Sequence, residues 1–102
     1  MRTISHPPIE EVDLVSVLHA LSDPVRLDVV GQLADGCELP CGAINGKVSK
    51  STLSHHLKVL RDAGVTHMRV TGTKRMVSLR DEELGQRFPG LLESVLRCKQ
   101  AA

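Results

Sequence analysis

Ser51, Ser54, His55 and Lys58 follow one another at helical spacing, so a helix through them carries two hydroxyls, an imidazole and an ammonium on one face. Thr52 and Lys50 flank that face near its N-terminal end. Short hydroxyls and an imidazole can reach base edges in a DNA major groove, which admits a helix. Lys50 and Lys58 suit phosphates, which position a protein without reading sequence, and a helix N-terminus itself favours a phosphate. A second set, Arg69, Thr71, Thr73, Lys74 and Arg75, crowds the tip of an expected hairpin, where cations fit a minor groove or the backbone beside it. Cys37, Cys41 and Cys98 form a third set. Soft thiolates bind arsenite, Cu(I) or, with a further ligand such as His6 or His19, zinc. The alternative chemistry is thiol oxidation, for which a Cys at a helix N-terminus with a lowered pKa is best suited; that favours Cys41. The plain reading is that all three are small hydrophobes without a chemical role.

Charge gathers around the first two sets. Between Lys47 and Arg80 lie eight basic side chains and one acid, Asp62, a local net charge of +7 in a chain whose total is +1. Residues 1–46 sum to −5 and residues 81–102 to −1. A cationic helix followed by a cationic hairpin is the layout of a surface that lies on a polyanion. With one Phe and no Trp or Tyr, the chain lacks the aromatic platforms on which single strands stack, so duplex DNA is the expected partner. The same shortage leaves the Leu, Val, Ile and Met core of a 102-residue chain thin, which a homodimer sharing apolar surface would remedy. There is no nucleophile elbow, no Gly-rich phosphate loop and no acid pair for an enzyme. The start of the chain has no long apolar run, and three Cys read as reduced thiols, so a cytoplasmic location is expected.

The elements that must position these groups are legible in outline. Residues 1–8, ending in Pro7-Pro8, read as a flexible N-terminal arm, and residues 9–102 as one domain. Apolar residues recur every third position from Ile9 to Leu21 (Ile9, Val12, Val15, Leu18, Leu21), which predicts an amphipathic helix with Glu10 and Glu11 in its first turn. Asp23 caps and Pro24 opens a second helix running to about Asp35, with Gly36 as its stop. A short helix is expected from Pro40 or Cys41 to Gly46. Ser49 caps a long helix with Leu53, His56 or Leu57, Leu60 and Ala63 inward, stopped by Gly64. His56, beside Leu53, Leu57 and Leu60, is expected to be a structural, hydrogen-bonded histidine, which leaves His55 for DNA. Strands Val65–Thr71 and Lys74–Leu79 flank Gly72-Thr73, and Asp81 caps a closing helix bent by Pro89. The expected fold is mainly α with a small β-hairpin, a winged helix-turn-helix in the order α-α-α-α-β-β-α.

Two stretches carry a resemblance to a known family. Leu18 to Leu27 (LHALSDPVRL) looks like the ALxDPxRLxIL signature of the arsenic-repressor (ArsR) family of winged-helix bacterial regulators. Val48 to Val65 (VSKSTLSHHLKVLRDAGV) looks like that family's recognition helix, and Arg69 to Arg75 like its RxGxxR wing. The resemblance covers roughly residues 12 to 80. It implies a homodimeric repressor, paired through its first and last helices and released from a palindromic operator by an effector, with the paired helices in successive major grooves about 34 Å apart. It also implies two kinds of metal site, neither of which this sequence carries. In one, Pro40 and Gly42 occupy the positions of a Cys-x-Cys pair, with Cys41 between them; in the other, Glu83 to Gln100 offers no His. A thiol or sulfur sensor built on Cys37, Cys41 or Cys98, or a thiophilic or transition metal, is the expected effector chemistry. A winged helix that binds only protein, and a constitutive DNA-binding repressor, are the alternatives.

Overall fold

Side-chain caps open the first three α-helices in the computed structural model, which describes residues 4–44 and 47–101. Met1–Thr3 of the arm, and the Gly46 stop, lie outside the described residues. Asp13 caps α1 (Leu14–Ala20) by accepting from the Ser16 N–H at 3.2 Å. Asp23 caps α2 (Pro24–Gln32) by accepting from Val25 and Arg26 N–H at 2.8 and 3.2 Å, with Pro24 at the first helical position. Ser49 caps α3 (Lys50–Asp62) through the Thr52 N–H. Gly64 ends α3 in a left-handed conformation, φ +86°, while Val65 N–H returns to the Leu60 carbonyl at 3.0 Å.

Strands β2 (Thr66–Thr71) and β3 (Lys74–Leu79) form the expected hairpin, followed by α4 (Asp81–Arg87) and α5 (Leu91–Ala101). A third strand, β1 (Glu38–Pro40), lies on the other side of β3, giving an antiparallel sheet in the order β1-β3-β2. The core sits between α1, α2, α3 and the inner face of the sheet, where Val17, Val29, Leu33, Leu60, Val65 and Val77 are fully or nearly fully buried. Short helices with a cationic helix backed by a small sheet make a winged helix-turn-helix. No helix among the described residues is long and apolar enough to cross a membrane.

Several expectations fail for physical reasons. The first helix does not span Ile9–Leu21: Ile9–Glu11 is a 3-10 turn, Val12 is extended and buried, and α1 begins only after the Asp13 cap. Val15 and Leu18, expected inward, point out, while Val17 and Ala20 are buried. α2 ends at Gln32, before both Asp35 and Gly36 take positive φ. The short helix expected from Pro40 or Cys41 is β1 followed by a single 3-10 turn, Cys41–Ala43. Asp81 is the first residue of α4 and not its cap, and the closing helix is divided at Phe88-Pro89-Gly90, where Gly90 has φ +79°. Residues 4–8 do not hang free: they run extended against β2, with Met68 N–H donating to His6 Nε2 at 3.0 Å and Arg80 donating to the Pro7 carbonyl at 2.7 Å.

Candidate nucleic-acid interface

The core stripe of α3 decides what its other side displays. His56, Leu57 and Leu60 are buried, so Lys50, Ser51, Thr52, Ser54, His55 and Lys58 are all exposed on the outer side. Three of them are partly engaged already. The Ser49 hydroxyl donates to Thr52 Oγ1 at 2.9 Å and lies 3.3 Å from Ser51 Oγ, tying both hydroxyls to the cap. Lys58 pairs with Asp62 one turn on, an exposed contact of the kind a competing anion readily replaces. Ser54 and His55 therefore form the centre of the open face.

What holds that face at its angle lies behind it. Arg26, only 8% exposed, donates to the Ala20 carbonyl at 2.7 Å, to the His19 carbonyl at 3.2 Å and to His56 Nδ1 at 3.2 Å. A guanidinium has no acceptor, so Nδ1 accepts and the imidazole carries its proton on Nε2. The Asp23 carboxylate stands 4.0 Å from the same Nδ1. One buried cation thus joins the end of α1, the start of α2 and the middle of α3. His56 is the structural, hydrogen-bonded histidine expected from its neighbours. Its partner Arg26 was missed, although a cation three and four residues before Val29 and Val30, within an apolar stripe, was the available signal.

The wing brings together Thr71, Thr73, Lys74 and Arg75, all exposed around Gly72, whose φ of +60° lets the turn reverse. Arg69 stands apart. Its Nε and Nη2 donate to the two oxygens of Glu38 on β1 at 2.8 and 2.6 Å. This bidentate bond holds the Glu38 carboxyl below the ordinary carboxylate range and raises Arg69 in turn. The expectation that Arg69 is a wing cation open to DNA is corrected accordingly: a strand absent from the sequence reading neutralises it. Arg61, half-buried and donating weakly to the Met68 sulfur at 3.6 Å, joins the cationic surface beyond the expected set.

The cysteines are dispersed. Cys37 and Cys98 are exposed, and Cys41 is half-buried at the start of a three-residue 3-10 turn. Burial pushes the Cys41 thiol up, with the Arg75 charge opposing it more weakly, so the lowered pKa expected of a helix N-terminus does not arise. Among the described residues no group of three or more His, Cys, Asp or Glu side chains could hold a metal ion.

A capped, cationic helix seated on a helix-turn-helix and flanked by a basic wing defines a winged-helix transcriptional regulator. Residues 21–69 match the family described as a helix-turn-helix domain. The chain is 39% identical over 82 residues to the uncharacterized HTH-type transcriptional regulator YceK of Bacillus subtilis (strain 168), spanning 78% of this chain and 82% of that protein. It is 37% identical over 73 residues to the arsenical resistance operon repressor of Staphylococcus xylosus, spanning 71% and 70%. Among solved structures, it is similar to HlyU from Vibrio cholerae N16961 (28% identity, TM-score 0.68, 82% of this chain and 88% of that one). It is also similar to the transcriptional repressor BigR from Xylella fastidiosa (28%, TM-score 0.66, 83% and 84%). The chain belongs to the arsenic-repressor (ArsR) family of helix-turn-helix transcriptional regulators, and its relatives are regulators, not enzymes.

Proposed function

We propose that this regulator is a sequence-specific repressor that binds duplex DNA as a homodimer, with Ser54 and His55 reading base edges and Lys50, Lys58, Lys74 and Arg75 holding phosphates. The observation that carries this reading is the outward face of α3: every group expected to touch DNA there is exposed, while the opposite side is fixed in the core by His56, Leu57 and Leu60. The Ser51 and Thr52 hydroxyls, bound to the cap, contribute by presenting the helix N-terminus to a phosphate. Arg69 contributes only when phosphate displaces Glu38.

Self-association is supported by α1, which turns Leu14, Val15 and Leu18 outward at 43%, 71% and 47% exposure, and by the half-buried Leu92, Val95 and Leu96 of α5. Three large apolar side chains on one short exposed helix are what a second copy would cover. Effector release, the remaining part of the proposal, rests on Cys37 and Cys98, whose exposure leaves them open to oxidant, sulfur species or a soft metal. A protein-only winged helix is disfavoured by the cationic face itself.

The test is fluorescence anisotropy on selected and random duplexes across a salt series. Affinity should fall steeply with salt, with a slope of about −0.9 per phosphate neutralised. Lys74→Ala should weaken all duplexes alike and flatten the slope, whereas Ser54→Ala and His55→Ala should shrink the difference between selected and random DNA. A salt-insensitive parent defeats the DNA reading. A monomer in sedimentation at micromolar concentration defeats the dimer. Oxidant- or metal-driven release that survives Cys37→Ser together with Cys98→Ser defeats the exposed-thiol sensor.

A further inference from the structure

The docked arm walls a second cationic feature, beside α3. Ile4 packs against the core, and the arm from Ile4 to Pro8 covers β2, the edge strand of the sheet. Three contacts fasten it: the Met68 N–H bond to His6 Nε2, a stack of the His6 and His67 rings with centroids 4.4 Å apart and planes 14° off parallel, and the Arg80 bond to the Pro7 carbonyl. Arg80 is itself buried and held by both oxygens of Glu83 at 3.0 and 3.1 Å. Between this arm, the end of α3 and the wing runs a groove of about 580 Å³. Ile4 and Ser5 line it together with Lys58, Arg61, Asp62, Thr73 and Arg75. Three cations thus face one acid, and that acid is already matched to Lys58. Arg61 offers more: among the described residues the one hydrogen bond of its guanidinium is to a thioether, a weak acceptor, so donors of its fork remain for an anion.

We propose that this groove seats a phosphodiester of the DNA backbone flanking the bases read by α3, with the docked arm as its wall and His6 as the pin that keeps the wall in place. The inference deepens the DNA-binding reading and rests on it: the groove lies between the two elements assigned to the duplex, and its excess of positive charge and its donors from Ser5 and Arg61 match a phosphate, not a base edge. His6 is a positioning residue. It serves by accepting, which an imidazole does only through an unprotonated nitrogen.

The experiment is anisotropy of the full chain on operator and random duplexes across a salt series. Ser5→Glu, at an exposed site where folding is safe, should weaken both duplexes about tenfold by placing a negative charge where the phosphate sits. Arg61→Gln should make the salt slope shallower by about 0.9 per protomer. His6→Asn, whose acceptor cannot reach the Met68 N–H, should behave like Ser5→Glu. His6→Gln, whose Oε1 stands where Nε2 stood, should retain the parent's affinity. The proposal is overturned if Ser5→Glu binds within twofold of the parent with an unchanged slope, or if Arg61→Gln leaves the parent's slope as it was. A parent that binds no duplex refutes the proposed function itself, a result distinguishable from a parent that binds and is indifferent to Ser5.

Discussion

Replacing His56 isolates the contribution of the buried junction behind α3. His56 is 9% exposed, and its Nδ1 takes one of the three hydrogen bonds described for the Arg26 guanidinium. In His56→Leu the volume is roughly kept, but a buried charged donor is left unpaired, at a cost of about 2–3 kcal/mol. In His56→Asn the side-chain oxygen falls where Nδ1 was, so the acceptor survives and the loss reduces to ring packing, about 1 kcal/mol. Urea unfolding at fixed protein concentration separates the two. With an m-value of about 1.5 kcal/mol/M, Leu should lower the midpoint by about 1.5 M and Asn by less than half of that. DNA affinity, measured well below either midpoint, should follow the same order, because the junction sets the angle of α3. If Leu costs no more than Asn, the bond to Arg26 does not stabilise the fold and the junction is mere packing.

Other outcomes follow from single contacts. Gly64→Ala should destabilise by about 2–4 kcal/mol, because a Cβ there meets Val12 Cγ2 at 2.4 Å on a residue with φ +86°; Val12→Ala in the same chain should recover part of the loss in thermal melts. Glu38→Gln should release Arg69 and raise affinity for random duplexes with a steeper salt slope; an unchanged slope would mean that Arg69 does not reach DNA even when freed. Arm docking should depend on pH. Burial, then His67 of β2, Arg61 of α3 and Arg80 at the start of α4 (itself paired with Glu83), hold the docked His6 below its ordinary 6.5. Docking is therefore at full strength above pH 6.5, and as the pH falls through 6.5 the released arm binds a proton that the docked arm refuses, weakening docking by up to tenfold per unit. Exchange of the Met68 amide, corrected for intrinsic rate, should rise between pH 7.5 and 5.5 in the parent and stay flat in His6→Gln.

The parts of the fold that were readable in the chain are those written locally. α3 announces itself by a serine cap, a compact apolar stripe and a glycine that can take positive φ, all within sixteen residues, Ser49 to Gly64. The hairpin is marked by its turn. α1 misleads because its apolar residues recur every third position, and on a helix of 3.6 residues per turn such a series slips by about 60° per step and winds around the cylinder. The competing signal, an Asp13 side chain that satisfies the Ser16 N–H, starts the helix later and turns Leu14, Val15 and Leu18 outward. β1 was not readable at all: three residues, one of them a proline, become a strand only because β3 offers Glu38 and Leu39 a partner in Ser78 and Val77. The site divides in the same way. Exposure of Ser54, His55 and Lys74 followed from the pattern, whereas Arg69 paired to Glu38, Arg26 buried on His56 and His6 fixed to Met68 join residues 30 to 62 positions apart, which periodicity cannot see.

These long-range contacts give the molecule its logic. The outer face of α1 carries the apolar side chains proposed to meet a second copy, and its last carbonyls, those of His19 and Ala20, are two of the three acceptors of Arg26. The third acceptor is on α3. A displacement of α1 along its axis therefore cannot leave Arg26 where it is without breaking two hydrogen bonds, one buried and one part-buried, and Arg26 cannot follow without pulling on His56. If α3 turns with α1, all three hydrogen bonds are kept. In the proposed dimer the two α3 helices must match successive major grooves, so a small turn at each, doubled by symmetry, would change how well they fit together. A buried guanidinium is a costly way to hold two helices together if stability alone were served, since an apolar pair would do the same. It is a fitting way to make the pose of one helix depend on that of the other, because its hydrogen bonds are directional and apolar contact is not.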